Sequence, residues 1–341
     1  MPPLTAEELQ QFETHGAVTV DTSFTLAELE AAERGWDKLA AAQRELKGGD
    51  AERQGYREMG VRSWPTLAYD AATIDVLQHP WFEAVVKQAL RADAGLFFQQ
   101  SNNLVLPTPL PHPPAEEQWA AKAHCDTQLT TSDWEATPRR TVLCFWLWLS
   151  DVPERGGAMR YVPGSHLRTA AHWESVASPV GRLAMPRIYG TDIQERPAGR
   201  NESRSTLPES GEHGSWLREQ EPVPLLARRG QCTVMTTALL HSPWYVHKRR
   251  TTRFPGKSLR KIACVSRLND DSSPRKGMHF AWTAAGVPVG LPAGQDEDGQ
   301  EIYPVLRERL RPERRHIIPE VYPHHSSEGP IAELLPQTAK L

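Results

Sequence analysis

The chain has 341 residues, 39% of them apolar, with 11 tryptophans, enough for a sizeable core in one large domain or two small ones. Its 29 prolines and 23 glycines argue against a helical bundle and for many turns. A net charge of −3 gives no global reason to expect nucleic acid or an anionic membrane as a partner.

Residues 5–16 read as an amphipathic helix, with Thr5 and Glu8 at capping-box spacing and Gly16 as the stop. A short strand, Ala17 to Val20, follows. Thr25 and Glu28 repeat the capping-box pattern and open a helix through about Leu39. Glycines 48, 49 and 55 break a polar loop, and residues 71–92 read as one further helix. From Gly95 the pattern turns to strands: Leu96 to Leu106, a proline-rich loop to Pro114, a strand carrying His124 and Asp126, and the apolar run Thr141 to Leu149. A turn at 153–157 leads to a strand from Ala158 to Val162, and residues 168–222 read as a long polar loop. Strands resume at Cys232 to Met235 and at 259–268, and the tail from Asn269 reads as an irregular extension.

Short helices followed by many strands predict a mainly β fold, a double-stranded β-helix (jelly roll, cupin-like) with N-terminal helices buttressing one sheet. We expect a single domain over 1–341: a helical part to about 94, a jelly-roll core over about 95–268, and an extension over about 269–341.

Four widely spaced cysteines, Cys125, Cys144, Cys232 and Cys264, include no CxxC pair, which argues for a reducing compartment. The longest apolar run has nine residues, too short for a bilayer, and no basic-then-apolar leader opens the chain. A cytoplasmic protein is therefore expected. The final Ala339-Lys340-Leu341 resembles a peroxisomal address, relevant only in a eukaryotic source.

The chemistry centres on His124-Cys125-Asp126. On a strand, side chains at i and i+2 share a face roughly 6–7 Å apart, so an imidazole and a carboxylate can chelate one metal ion. A distant histidine would complete the two-histidine, one-carboxylate set of non-haem Fe(II) oxygenases. His241 and His247 both compete for that place. An isolated His-x-Asp is usually a pair of surface residues; the surrounding order of motifs separates this one from that reading. In Leu259 to Leu268, alternation puts Arg260 on the same face as Ile262 and Cys264. An inward guanidinium needs a partner, either an internal carboxylate or a bound one gripped bidentately.

These motifs together resemble the phytanoyl-CoA dioxygenase family of Fe(II)/2-oxoglutarate oxygenases, which includes ectoine hydroxylase. The resemblance runs from Leu4 to about Leu268. It rests on the N-terminal helix–Gly–strand, His124-x-Asp126, Arg155-Gly156-Gly157 leading into Val162-Pro163-Gly164-Ser165-His166, and the histidine-to-Arg260 segment. It implies Fe(II) held by His124, Asp126 and His247, with His247 favoured over His241 because the family often carries an earlier histidine about five residues before the ligand. It also implies 2-oxoglutarate as cosubstrate, bound by Arg260 and Gln100, with O2 as oxidant and succinate and CO2 as products. The chain departs from the family after the metal histidine, where Lys248-Arg249-Arg250-Thr251 replaces the usual Gly-Ser and Asn, and at Leu106, where a lysine is common. Because Asp126 is present, hydroxylation rather than halogenation is the expected outcome.

The expected partner is a small-molecule substrate, with no nucleic acid and no membrane. The basic run Lys248, Arg249, Arg250 and Arg253 is ordinarily a solvated loop; its sharper reading is an anionic substrate. The rival reading is a cupin-like metal- or ligand-binding protein, or a degenerate sensor, without 2-oxoglutarate turnover.

Overall fold

The computed structural model describes residues 3–46, 71–92, 96–106, 125, 130–152, 159–176, 219–243, 249–250, 263–264, 275–284 and 307–318. Helix α1 (Ala6–His15) starts where the sequence predicts. The Glu8 amide donates to Thr5 Oγ1 at 3.2 Å and the Thr5 amide to Glu8 Oε2 at 2.7 Å, so two otherwise orphaned N–H groups are satisfied. Gly16 closes the helix at φ 82°, a left-handed conformation open to glycine, and the chain enters β1 (Ala17–Asp21). Helix α2 (Leu26–Leu46) opens on the second capping box, Thr25 with Glu28, and runs beyond the expected end at Leu39.

The single helix expected over 71–92 is two, α3 (Ala71–Leu77) and α4 (Pro80–Ala89). Pro80 cannot donate a backbone N–H, so it begins a helix rather than continuing one, and His79 caps it by accepting the Trp81 amide. Beyond these lie β2 (Leu96–Leu106), α5 (Thr131–Glu135), β3 (Leu143–Trp148), β4 (Met159–Tyr161) and α6 (Ser165–Val176). Strands β5 (Val223–Pro224), β6 (Gln231–Thr236), β7 (His241–Pro243), β8 (Arg249–Arg250), β9 (Ala263–Cys264) and β10 (Arg275–Ala284) follow, then a 3-10 helix, Pro312–Ile317.

The main sheet has the order β1-β6-β3-β10-β2, antiparallel throughout. A smaller sheet has the order β5-β4-β7, and β8 pairs with β9. One expectation about the strands needs correction. The segment from 269, read as irregular, contains β10, which lies between β3 and β2. Of the strand expected at 259–268, only Ala263–Cys264 lies within the described residues, and it pairs with β8. The alternation of β10 is real, with Met278, Phe280 and Trp282 on one face, but Gly277 and Ala281 on the other weaken it against its polar flank. The loop expected over 168–222 also begins as helix, since α6 runs to Val176.

Alternation sorts the main sheet into two faces. Phe145, Val234, Phe280 and Trp282 pack against the N-terminal helices, where Trp36, Trp81 and Phe82 are buried with them. The Phe82 ring lies 5.4 Å from that of Phe145 and 5.2 Å from that of Phe280. Around this apolar contact, the Trp36 indole donates to the Gly277 carbonyl at 3.3 Å, and Lys276 Nζ reaches Glu33 at 3.1 Å and Asp37 at 2.8 Å. On the other face Ala17, Cys144, Trp146, Trp148 and Met235 pack against Tyr161, Leu225 and Ala227 of the smaller sheet and its surroundings. The space between the two sheets is where a site would form.

Candidate active site

One part of the inter-sheet space is filled. The Trp148 indole donates to Thr233 Oγ1 at 2.9 Å, and Thr233 Oγ1 lies 2.9 Å from Thr19 Oγ1. Gly277 stands opposite Trp148 in the sheet, and a Cβ there would lie 3.1 Å from the indole carbons, so this glycine lets the ring lie across the strand. One row along, His279 stands opposite Trp146, ring centroids 5.5 Å apart and tilted 34°.

The opposing wall carries a histidine. His241 on β7 pairs directly with Tyr161 on β4, and directly opposed residues of an antiparallel pair share a face. Tyr161 packs into the inter-sheet cluster, so buried His241 faces the same space. His241 Nδ1 lies 2.9 Å from the Leu239 carbonyl. A carbonyl only accepts, so Nδ1 is the donor of this bond. Burial pushes the Tyr161 hydroxyl above the ordinary phenol range, so it stays protonated.

His166, in the Val162 to His166 motif, serves another purpose. It is fully buried with its ring 4.6 Å from that of Trp134, and its Nε2 donates to the Glu13 carbonyl at 3.2 Å. Burial lowers its pKa to about 4, so the ring is neutral. A Cβ on Gly16 would lie 2.5 Å from its Nδ1, which is a second reason for glycine at the end of α1. Beside it, buried Arg139 donates to the carbonyls of Ala89 and Trp134 and to the Glu13 carboxylate, and lies 4.3 Å over the Trp134 ring. This knot ties α1, α4, α5 and α6 together.

Of the residues read from the sequence as the site, His124, Asp126, His247 and Arg260 lie outside the described residues. Gln100 lies in β2 opposite Ala281, which stands opposite Cys144 in β3. Cys125, between the expected ligands, is buried at 1% exposure. Among the described residues no three His, Cys, Asp or Glu side chains gather to hold a metal. The donors the chain offers, imidazole and carboxylate, are nevertheless those that suit Fe(II) with open positions. A backbone carbonyl on the second nitrogen, as at His241, is the usual support of a metal-binding histidine. The residues present therefore fit the metal. Tyr161 and His279 line the same space and were not singled out from sequence, although a period-two reading of 276–282 would have found the second.

The family model for phytanoyl-CoA dioxygenase (PhyH) matches residues 12–242, and the chain belongs to that family. It is a 2-oxoglutarate-dependent non-haem iron dioxygenase, using Fe(II), 2-oxoglutarate and O2, on a jelly-roll fold. No curated protein matches the chain. Among solved structures it is similar to AviO1 from Streptomyces viridochromogenes Tue57, at 15% identity and TM-score 0.48 over 83% of this chain and 96% of that one. It is similar to SnoK, a non-haem α-ketoglutarate-dependent carbocyclase from nogalamycin biosynthesis, at 18% identity and TM-score 0.48 over 87% and 94%. It is also similar to EctD from S. alaskensis, at 13% identity and TM-score 0.47 over 83% and 78%. Among the described residues no helix is long and apolar enough to cross a membrane.

Proposed function

We propose that this oxygenase hydroxylates an unactivated C–H bond of a small-molecule metabolite, with release of succinate and CO2. His124, Asp126 and a distal histidine hold the iron, and Arg260 and Gln100 hold 2-oxoglutarate. The observation that carries the ligand set furthest is the position of His241. It faces the inter-sheet space, and its Nδ1 donates to the Leu239 carbonyl, the support usual for a metal-binding histidine. This supports His241 as the distal ligand in place of the expected His247. Strand alternation about buried Cys125 supports His124 and Asp126 sharing the face opposite that thiol.

Bound Fe(II), with 2-oxoglutarate and O2, supplies an oxidant able to take hydrogen from an unactivated C–H bond. The chain does the rest. Arg260 pairs with the far carboxylate of the cosubstrate through a planar fork suited to two parallel hydrogen bonds. Trp146, Trp148 and Tyr161 keep much of the inter-sheet space apolar and exclude water from around the reacting carbon. The jelly roll and its N-terminal helices act as one domain over the whole chain, with β10 part of the core.

Anaerobic addition of Fe(II) and then 2-oxoglutarate to the apoprotein produces a visible charge-transfer band if the cosubstrate chelates the metal. The band is expected to vanish in His124→Ala and His241→Ala, to survive His247→Ala, and to weaken in Arg260→Ala. Survival in His241→Ala with loss in His247→Ala would return the ligand role to His247. A wild-type protein that binds iron and gives no band would overturn the cosubstrate assignment.

A further inference from the structure

Several polar groups of the inter-sheet space bond to the protein itself. The Trp148 indole and the hydroxyls of Thr233 and Thr19 form a chain with steps of 2.9 Å. His241 Nδ1 donates to the Leu239 carbonyl at 2.9 Å. Tyr161 departs from this pattern. It is buried in the cluster that holds Trp146, Trp148 and Leu239, yet among the described residues its hydroxyl has no hydrogen-bond partner. Burial is the one influence that acts on its acidity.

A buried phenol ordinarily finds a partner, and leaving it without one costs the hydration of its hydroxyl. A phenylalanine would fill the same volume without that cost. The hydroxyl therefore adds nothing to the packing of the free protein, and the group that satisfies it comes from outside the chain. Register shows where that group sits. Tyr161 stands directly opposite His241 in the pairing of β4 with β7. Directly opposed side chains leave their strands about 4.5–5.5 Å apart at Cβ and run side by side into the same space. A ligand that reaches the imidazole is within reach of the phenol, whose oxygen lies at the far end of a rigid ring.

We propose that the Tyr161 hydroxyl donates a hydrogen bond to the carboxylate at the metal-binding end of 2-oxoglutarate. The inference rests on the proposed reading of the inter-sheet space, with His241 as an iron ligand and 2-oxoglutarate chelated beside it. A hydrogen bond to a charged oxygen is stronger than one between neutral groups. A neutral donor supplies it without adding a second buried cation to Arg260, which takes the far carboxylate.

The test is Tyr161→Phe, which removes one oxygen and keeps the ring, in an anaerobic titration of the Fe(II)-loaded protein read by the charge-transfer band. The dissociation constant for 2-oxoglutarate is expected to rise about tenfold, the usual scale for one lost hydrogen bond. The band maximum should move, because the lost bond was to the chelating carboxylate, while Fe(II) affinity stays unchanged. The unfolding midpoint of the metal-free variant should match or exceed that of the wild type, because the hydroxyl bonds nothing in the free fold. A wild-type dissociation constant overturns the proposal. So does a weakened one with an unmoved band, which would put the hydroxyl at the far carboxylate. A lowered midpoint with wild-type binding overturns it too, and assigns the hydroxyl to the fold or to a water held there. A wild-type protein without any band, or a band that survives His241→Ala, overturns the underlying site assignment instead, so the two failures are distinguishable.

Discussion

The two faces of the main sheet are built from the same strands and treat their contents differently. The helix side is closed, aromatic and unbroken by polar groups from Phe82 through Phe145 to Trp282. The inter-sheet side is buried too, but it mixes tryptophan, tyrosine, threonine and two histidines. One face is an apolar contact with the helices, and the other places polar and aromatic groups together between two sheets. A mutation in this protein should therefore affect stability or cosubstrate binding according to which way its side chain points along the strand.

The largest expected effect on stability is at the centre of the closed face. Phe82→Ala removes a ring that contacts Phe145, Phe280 and Trp282, and it should cost about 3–5 kcal/mol in denaturant unfolding. The refolded variant should still bind 2-oxoglutarate with wild-type affinity. Weakened binding there would break the division between the faces.

Next comes the buried imidazole beside α1. His166 has a pKa of about 4 in the folded chain against 6.5 as an ordinary histidine, so the unfolded chain binds the proton more readily. Its stabilising contribution is fully present above pH 6.5 and is lost as pH falls toward 4, by about 3 kcal/mol in all. Unfolding curves across that window should lose this slope in His166→Gln. A separate loss is expected at lower pH from Glu13. Burial alone would raise its pKa, but hydrogen bonds from Arg139 and Arg91 outweigh that and hold it below the usual carboxylate range. Its contribution is present above that range and disappears as pH drops through its folded value.

The smallest effect sharpens the contrast from outside both faces. Thr5→Ala removes the N-cap of α1 and should lower stability by about 1 kcal/mol, read as a small shift in unfolding midpoint. Cosubstrate titration should not change.

Local chemistry made much of this architecture readable. Thr5 with Glu8, and Thr25 with Glu28, are signals contained within four residues, and both helices begin there. The apolar run around Phe145 could only be a buried strand, and it is the middle of a five-stranded sheet. What escaped depended on distant partners. Strand β10 is held between β2 and β3 by pairing that no local pattern announces, and the break at Pro80 was masked by apolar residues on both sides. At the site, His124-x-Asp126 reads as a chelating pair only in the company of the motifs around it, and both residues lie outside the described ones. The choice between His241 and His247 depends on distant partners: His241 stands opposite Tyr161 across a strand pair, and His247 lies outside the described residues. Family spacing points to the later histidine, and that expectation is one for the charge-transfer titration to decide.

The late arrival of β10 has a practical side. The stretch that matches the family, residues 12–242, contains β1, β2, β3 and β6 but stops short of Arg275–Ala284. A fragment trimmed to that boundary would keep both neighbours of the missing strand and leave their facing edges with unpaired amides and carbonyls. During synthesis the same gap exists for a time. Strands β2 and β3 are both made long before the segment that joins them, so closure of the sheet is a non-local event with a correspondingly slow folding step. An expression boundary drawn from family similarity alone would yield a sheet divided through its middle.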